Sequence, residues 1–261
     1  GPHKGVIHLA LASVTNACFD LWAKAEGVPL WKLLIDRTPE EIIRLLDFRY
    51  VEDLMTKQEA LTILKDAAAT REERMGVLKT GYPGYDTSVG WFNYSDELVV
   101  ENTKKAVANG FTAMKLKVGS ADYERDVRRA KLIRAAAGDD ATIMVDANQQ
   151  WTLSKALVVI DKLREMNPYW VEDALRVGGI SEFILISLMS RKCGVPVIPH
   201  VGDMGQIHQH MVLFNHISMS HPKLFLECIP HLCKYFKDPA TIEDGVYLVP
   251  QTPGSSSDFN N

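Results

Sequence analysis

Lysines, carboxylates and a histidine recur in this chain at the ends of short apolar runs. Lys115 and Lys117 close the run from Phe111 to Val118, Asp146 closes Ala141 to Asp146, and Glu172 closes Tyr169 to Glu172. His200 closes Val195 to His200, and Glu227 closes Leu224 to Glu227. The intervals are 29 residues from Lys117 to Asp146, then 26 to Glu172, 28 to His200 and 27 to Glu227. One βα unit of a TIM barrel takes roughly 30 residues, and such barrels carry their chemistry at the C-terminal strand ends.

Each residue type suits a step of proton-transfer chemistry. Lys115 and Lys117 stand two apart, so on a strand they face the same side. Two lysines in one barrel mouth are expected to depress each other's pKa, and burial adds to this. A lysine tuned toward neutral pH can act as a general base. Asp146 and Glu172, on successive strand ends, offer the oxygen donors that Mg2+ prefers. Asn148 shares a face with Asp146 and is a candidate for touching substrate or a metal-bound water. His200, stiffened by Pro199, is a candidate proton donor. Taken singly, each could be a solvated strand end, a helix cap or a surface salt bridge. Met114, Leu116 and Val118 alternate with the lysines, however, and so pack the opposite face against helices.

The segments between these residues read as the elements that would position them. Residues 6–26 form an apolar helix stopped by Gly27, with Pro29 beyond. Thr56 and Glu59 fit a capping box for a helix running toward Thr80, with Gly81 as its stop. Val89 to Phe92 is a short strand, and Ser95 caps a helix ending near Gly110. Arg125 to Ala137 is helical, and Thr152 caps a helix to Met166. Gln206 to Phe214 is a further helix. Its His208 and His210 diverge and are expected at the surface or at subunit contacts, not on zinc. Strands alternating with helices of this length indicate a parallel α/β architecture.

The ordered set resembles the enolase superfamily. There a Lys-x-Lys lies on the second barrel strand, carboxylates on the third and fourth, a histidine on the seventh and a glutamate on the eighth. Asp47-Phe-Arg-Tyr50, the Gly81 to Ser88 segment, Trp91 with Tyr94-Ser-Asp96, and the Asp173 to Gly179 segment look like its L-fuconate dehydratase branch. The resemblance implies a modified TIM barrel with an α+β capping domain. It makes Lys117 the base and His200 the acid, with Asp173 as the partner of His200. Lys115 would neutralise the substrate carboxylate, and Glu227, Asn148 and Trp91 would contact substrate. Asp146 and Glu172 would ligate Mg2+. The activity implied is conversion of L-fuconate to 2-keto-3-deoxy-L-fuconate.

Six strands can be counted, whereas a closed barrel of this type needs eight. By the resemblance, the chain passes from a strand-four-like end at Glu172 directly to a strand-six-like segment at Asp173. The fold is therefore expected to be incomplete, with the N-terminal capping segment and barrel strands 5 and 6 not in the sequence and a break near 172–174. The expected division is 1–86 for the rest of the capping domain and entry to the barrel, 87–235 for the barrel, and 236–261 for a segment returning to the capping domain. A shortened, inactive homologue that binds a partner or sugar acid is the alternative. A zinc hydrolase would need a His-x-His on the first strand, and there is none.

With 46% hydrophobic residues among 261, the chain can bury a large core. A net charge of −4 gives no basic footprint for nucleic acid. No apolar run approaches the roughly 20 residues of a membrane span, and the start is unlike a signal peptide. The four cysteines lack metal spacing and are expected to be buried free thiols in a reducing compartment. Gly202 and Gly205 are too sparse for a phosphate loop. The tail from Pro253 to Asp258 is expected to fray. A cytoplasmic homo-oligomer is expected, or a mitochondrial one if the source is eukaryotic.

Overall fold

The structure, a computed structural model, describes residues 3–49, 51–148, 150, 158–159, 161–172, 179–194, 197–199 and 206–260. The chain opens with helix α1 (His3–Glu26), which ends at Gly27 with φ +70°. That left-handed turn needs a residue without a Cβ penalty. Helices α2 (Leu30–Ile35), α3 (Pro39–Arg44) and α4 (Lys57–Ala68) follow. Thr38 with Glu41, and Thr56 with Glu59, form reciprocal capping boxes at the starts of α3 and α4.

The helix expected to run from Thr56 to Thr80 is instead broken into three. After α4 come two single-turn helices, α5 (Arg71–Arg74) and α6 (Val77–Thr80). Arg74 is the physical reason for the first break. Its guanidinium donates to Ala67 O, to Thr70 O and, from the distant helix that carries it, to Ile217 O. Carbonyls that would continue α4 are thereby satisfied by a side chain.

Strand β1 (Tyr82–Gly90) begins seven residues before the expected Val89. Both of its faces are largely covered, so no polar alternation marks it, and Pro83 and Gly84 disguise it further. Helix α7 (Asp96–Ala108), capped by Ser95, leads to β2 (Ala113–Lys117). Helix α8 (Tyr123–Ala137), capped by Asp122, leads to β3 (Thr142–Asp146), and β4 (Val171–Glu172) follows. The helix expected from Thr152 lies mostly outside the described residues, and Arg164–Met166 form a 3-10 turn. Helices α9 (Ile180–Cys193) and α10 (Gln206–Met219) precede β5 (Leu226–Cys228). A final hairpin pairs β6 (Ile242–Glu243) with β7 (Val246–Tyr247).

β5, β1, β2, β3 and β4 lie side by side and parallel in that order. β7 adds an antiparallel pairing at the start of β1. Of the strand expected to end at His200 only residues 197–199 are described, and these are in no regular element; residues 195, 196 and His200 itself lie outside the described residues. So do residues 173 and 174, where a break was expected. Tyr85, Ala113 and Met144 form a small inner cluster under the site, with Trp170 and Phe225 packed on it. The larger core joins the helices to the outer face of the sheet and to one another.

Two surface expectations fail. The tail is anchored, because Ser255 and Ser256 are buried, Ser255 N and Oγ donate to Asp20, and Lys24 pairs with Asp258 at 2.8 Å. His210 is fully buried, with its ring between the Trp31 amide and the Ser256 hydroxyl. Helix packing brings partners from opposite ends of the sequence to these polar groups, which local sequence does not show. Of the cysteines, Cys228 is buried and Cys233 half-buried, but Cys18 is exposed, because its position on α1 faces away from the core.

Candidate active site

The C-terminal ends of β2, β3 and β5 bring four of the expected residues together. Lys117 and Asp146 are register partners across β2 and β3, and Asp146 and Glu172 are partners across β3 and β4. Three chemically active residues thus stand in one row on three adjacent strands. Lys117 Nζ donates directly to Asp146 Oδ2. Lys115 Nζ lies 2.7 Å from Glu227 Oε1 and 3.7 Å from Asp146 Oδ2. The side chains of Lys115, Glu227 and Asp146 are all essentially buried, at 0%, 1% and 1% exposure, whereas Lys117 retains 11%.

This burial removes the reading of Glu227 as a strand end in water. It also changes the expectation for the lysines. They do not face one another as bare cations, because each has a carboxylate in contact. Burying a lone charge is costly, and opposite charges with hydrogen bonds are what allow it. Burial pushes the Asp146 carboxyl up, but the Lys117 hydrogen bond, the Asn148 amide and the two lysine charges outweigh it. Asp146 is therefore held below its ordinary value, and it is ionised at neutral pH.

Asn148 takes a left-handed turn at φ +44°, and this brings its backbone N–H 2.9 Å from Asp146 Oδ1 and its Nδ2 3.2 Å from Oδ2. It orients the carboxylate. Trp91, just past the end of β1, places its ring 5.6 Å from Lys117 Nζ. That is within reach of a cation–π contact. Asp173 and His200 lie outside the described residues, as does the Glu172 side chain, although the Glu172 backbone is in β4.

The donor chemistry suits magnesium. Asp146 is an ionised, hard oxygen donor, and Glu172 ends the adjacent strand in register with it. Among the described residues no three His, Cys, Asp or Glu side chains converge as a metal group.

Three residues at this site escaped the sequence reading. Tyr85, buried on β1, lies with its hydroxyl 3.2 Å from Lys115 Nζ. Asp126 accepts from Gly119 N and Ser120 N, both at 2.8 Å. Arg129 donates to Trp91 O at 2.6 Å and to Lys117 O at 3.3 Å. A signal for the last two was present. Asp126 and Arg129 lie three apart on the same α8 face as Ala130 and Ile133, and charges on an apolar helix face require partners.

Known proteins are similar to this chain in sequence and fold. The family described as enolase C-terminal domain-like matches residues 98–176 and again 173–261. Mitochondrial enolase superfamily member 1 of Homo sapiens is 34% identical over 315 aligned positions, covering 99% of this chain and 71% of that protein. Its crystal structure superposes with a TM-score of 0.93 over 100% of this chain and 71% of that one. L-galactonate dehydratase of Hypocrea jecorina is 32% identical, over 98% of this chain and 69% of that protein. The L-talarate dehydratase of Polaromonas sp. JS666, solved with Mg and L-glucarate, shares the fold at a TM-score of 0.71 and 22% identity, over 97% of this chain and 71% of that one. The alignment to the human protein runs 315 positions against a chain of 261 residues, so it opens gaps in this chain. Parallel strands, ordered lysines and carboxylates, and similarity along nearly all of this chain agree: the chain belongs to the enolase superfamily.

Proposed function

We propose that this protein is a Mg2+-dependent hydro-lyase acting on a sugar acid, converting L-fuconate to 2-keto-3-deoxy-L-fuconate. The observation that carries the reading is the register-matched row of Lys117, Asp146 and Glu172 on adjacent parallel strands, with Lys115 and Glu227 buried beside it. The dehydratase names of similar proteins support the reaction class. The segments resembling the L-fuconate dehydratase branch support the substrate.

In this mechanism Lys117 Nζ takes the proton from C2. The electron pair of the C2–H bond moves toward the carboxylate as an enediolate. Lys115 lies deeper, and its fixed positive charge offsets the charge on that carboxylate. Glu227 holds Lys115 in place and faces the same space. His200 delivers a proton to the departing 3-hydroxyl as the C3–O bond breaks, so that water leaves, and Asp173 orients His200. The enol product then tautomerises to the 2-keto acid. Asn148 fixes the Asp146 carboxylate, and Trp91 confines Lys117 Nζ and lines the substrate space. Asp146 and Glu172 would hold Mg2+, which supplies positive charge to the enediolate when bound, a pairing of lysine base and metal known for such sites.

Residues 87–235 would carry this chemistry, with 1–86 and 236–261 forming the cap. We propose a homo-oligomer, with no nucleic-acid or membrane partner, in the cytoplasm. The human relative's name supports a mitochondrial location as the alternative. Among the described residues no helix is long and apolar enough to cross a membrane.

Two observations favour a second reading, an inactive shortened homologue that binds without turnover. The two family matches meet at residues 173–176, and the alignment to the human protein is longer than the chain. Incubation with L-fuconate and Mg2+, followed by proton NMR, separates the two. Loss of the C3–H carbinol signal and appearance of a C3 methylene supports the dehydratase. Binding of L-fuconate by calorimetry with neither product nor C2 exchange supports the binding protein.

A further inference from the structure

We propose that Arg129 is a positioning residue for Lys117: its buried guanidinium clamps the carbonyl ends of β1 and β2, and so sets Lys117 Nζ between the Trp91 ring and Asp146. This rests on the reading of Lys117 as the base. Arg129 is 0% exposed, and it is the largest fully buried side chain described. It projects from α8 beneath the strand ends and donates Nη2 to Trp91 O at 2.6 Å and Nη1 to Lys117 O at 3.3 Å. Its Nε has no acceptor among the described residues, so the two carbonyls orient the group.

The clamp is needed because the ladder between β1 and β2 does not run regularly to this point. Their register shifts between Asp86 and Gly90, so the strand pairing alone does not define where Trp91 begins. A guanidinium is a rigid fork that can span two acceptors, whereas a lysine ammonium is a point charge on a flexible stem. Neighbours on α8 extend the same hold. Asp126 grips the amides of Gly119 and Ser120, just after Lys117. Arg125 donates to Phe92 O at 2.7 Å, just after Trp91. One helix thus fixes both loops that flank the Lys117–Trp91 pair.

The test uses Arg129→Lys and Arg129→Met in the full chain, with Lys117→Ala as the control. The first readout is pulsed reductive methylation, read residue by residue by peptide mass spectrometry, which needs no activity. Labelling of Lys117 should rise about tenfold in Arg129→Lys, while Lys115 stays protected, because only the clamp is released. The second readout is exchange of the L-fuconate C2 proton with deuterium in the presence of Mg2+. It should slow by about 100-fold with KM changed by less than about threefold, as expected for a base displaced by about 1 Å. In the unmutated chain, the Arg129 Nη protons should exchange with solvent at least about tenfold more slowly than those of the more exposed Arg128, a measurement that does not depend on either variant folding. Unchanged Lys117 labelling, a parallel rise at Lys115, or Arg129 exchange as fast as that of Arg128 overturns the clamp. If labelling changes as expected but Lys117→Ala retains full C2 exchange, the clamp stands and the assignment of Lys117 as base falls.

Discussion

Lys115 and Glu227 meet at 2.7 Å although their strands are not neighbours, because β1 runs between β2 and β5. In a flat sheet, strands two apart are separated by about 9–10 Å. The sheet therefore curls toward its inner face, and side chains on that face converge. The Tyr85 hydroxyl, 3.2 Å from Lys115 on the intervening strand, completes the enclosure. Convergence of this kind brings residues far apart in sequence to one point at the strand ends.

Removing the negative charge should expose how much this pair matters. Glu227→Gln keeps the shape but leaves the buried Lys115 ammonium short of its nearest carboxylate. Breaking a buried pair from one side typically costs about 3–5 kcal/mol. The urea midpoint should fall accordingly. The double variant Lys115→Met with Glu227→Gln should be more stable than Glu227→Gln alone, because no unpaired charge is then buried. A single variant as stable as the wild type would show that water reaches Lys115.

The two proton-transfer roles should separate in the isotope experiment. Lys117→Ala removes the base, so C2 exchange and dehydration of L-fuconate should both fall by at least about 100-fold, with binding largely retained. His200→Asn should block loss of the 3-hydroxyl and yet leave C2 exchange with deuterium. Proton NMR in deuterated buffer reads both. Dehydration at the wild-type rate by the His200 variant would place the acid elsewhere.

How far the sequence revealed the fold depends on how local each signal is. The strand ends at Lys117, Asp146 and Glu172 recur at one βα period and Glu227 follows after two, and the capping boxes at Thr38 and Thr56 are complete within four residues. The Thr38 box is as local as the Thr56 box, which alone is among the expected elements. β1 was shortened in the reading because both its faces are covered and its glycines and Pro83 resemble turn residues. The place of Arg129 on an apolar helix face shows that it needs partners, but not which ones, since they belong to two other elements. The tail serines looked frayed because Asp20 and His210, which bind them, are distant in sequence. Apart from the Thr38 box, the pairings that the sequence does not show are those made by the fold rather than by a local pattern.

Thiol reactivity should follow burial. The Cys228 thiol is pushed up to about 12 by burial first and by nearby negative groups such as Asp86 second, so at pH 8 it is a thiol and not the reactive thiolate. Cys18 is exposed on α1. Alkylation of the native protein at pH 8, read by peptide mass spectrometry, should modify Cys18 at least about tenfold faster than Cys228. Comparable rates would mean that the β5 end opens readily.

Acid stability offers the sharpest test of the helix packing around α10. Burial pushes His210 down to about 3 from 6.5, and its Nδ1 accepts from the Trp31 amide, which a proton there would disrupt. In the unfolded chain the same imidazole binds a proton near 6.5. Between these values the unfolded state holds the extra proton, so stability falls as pH is lowered from about 6.5 toward 3. The slope from one such group is about 1.4 kcal/mol per pH unit. His216 and His221 are also pushed down by burial, and their contribution is common to wild type and variant. His210→Gln should be less stable at pH 7, having lost a fitted ring. It should, however, lose about 2 kcal/mol less than the wild type between pH 7 and pH 5. Urea unfolding at the two pH values measures the difference directly. Parallel losses in both proteins would mean that His210 is not buried as a neutral imidazole.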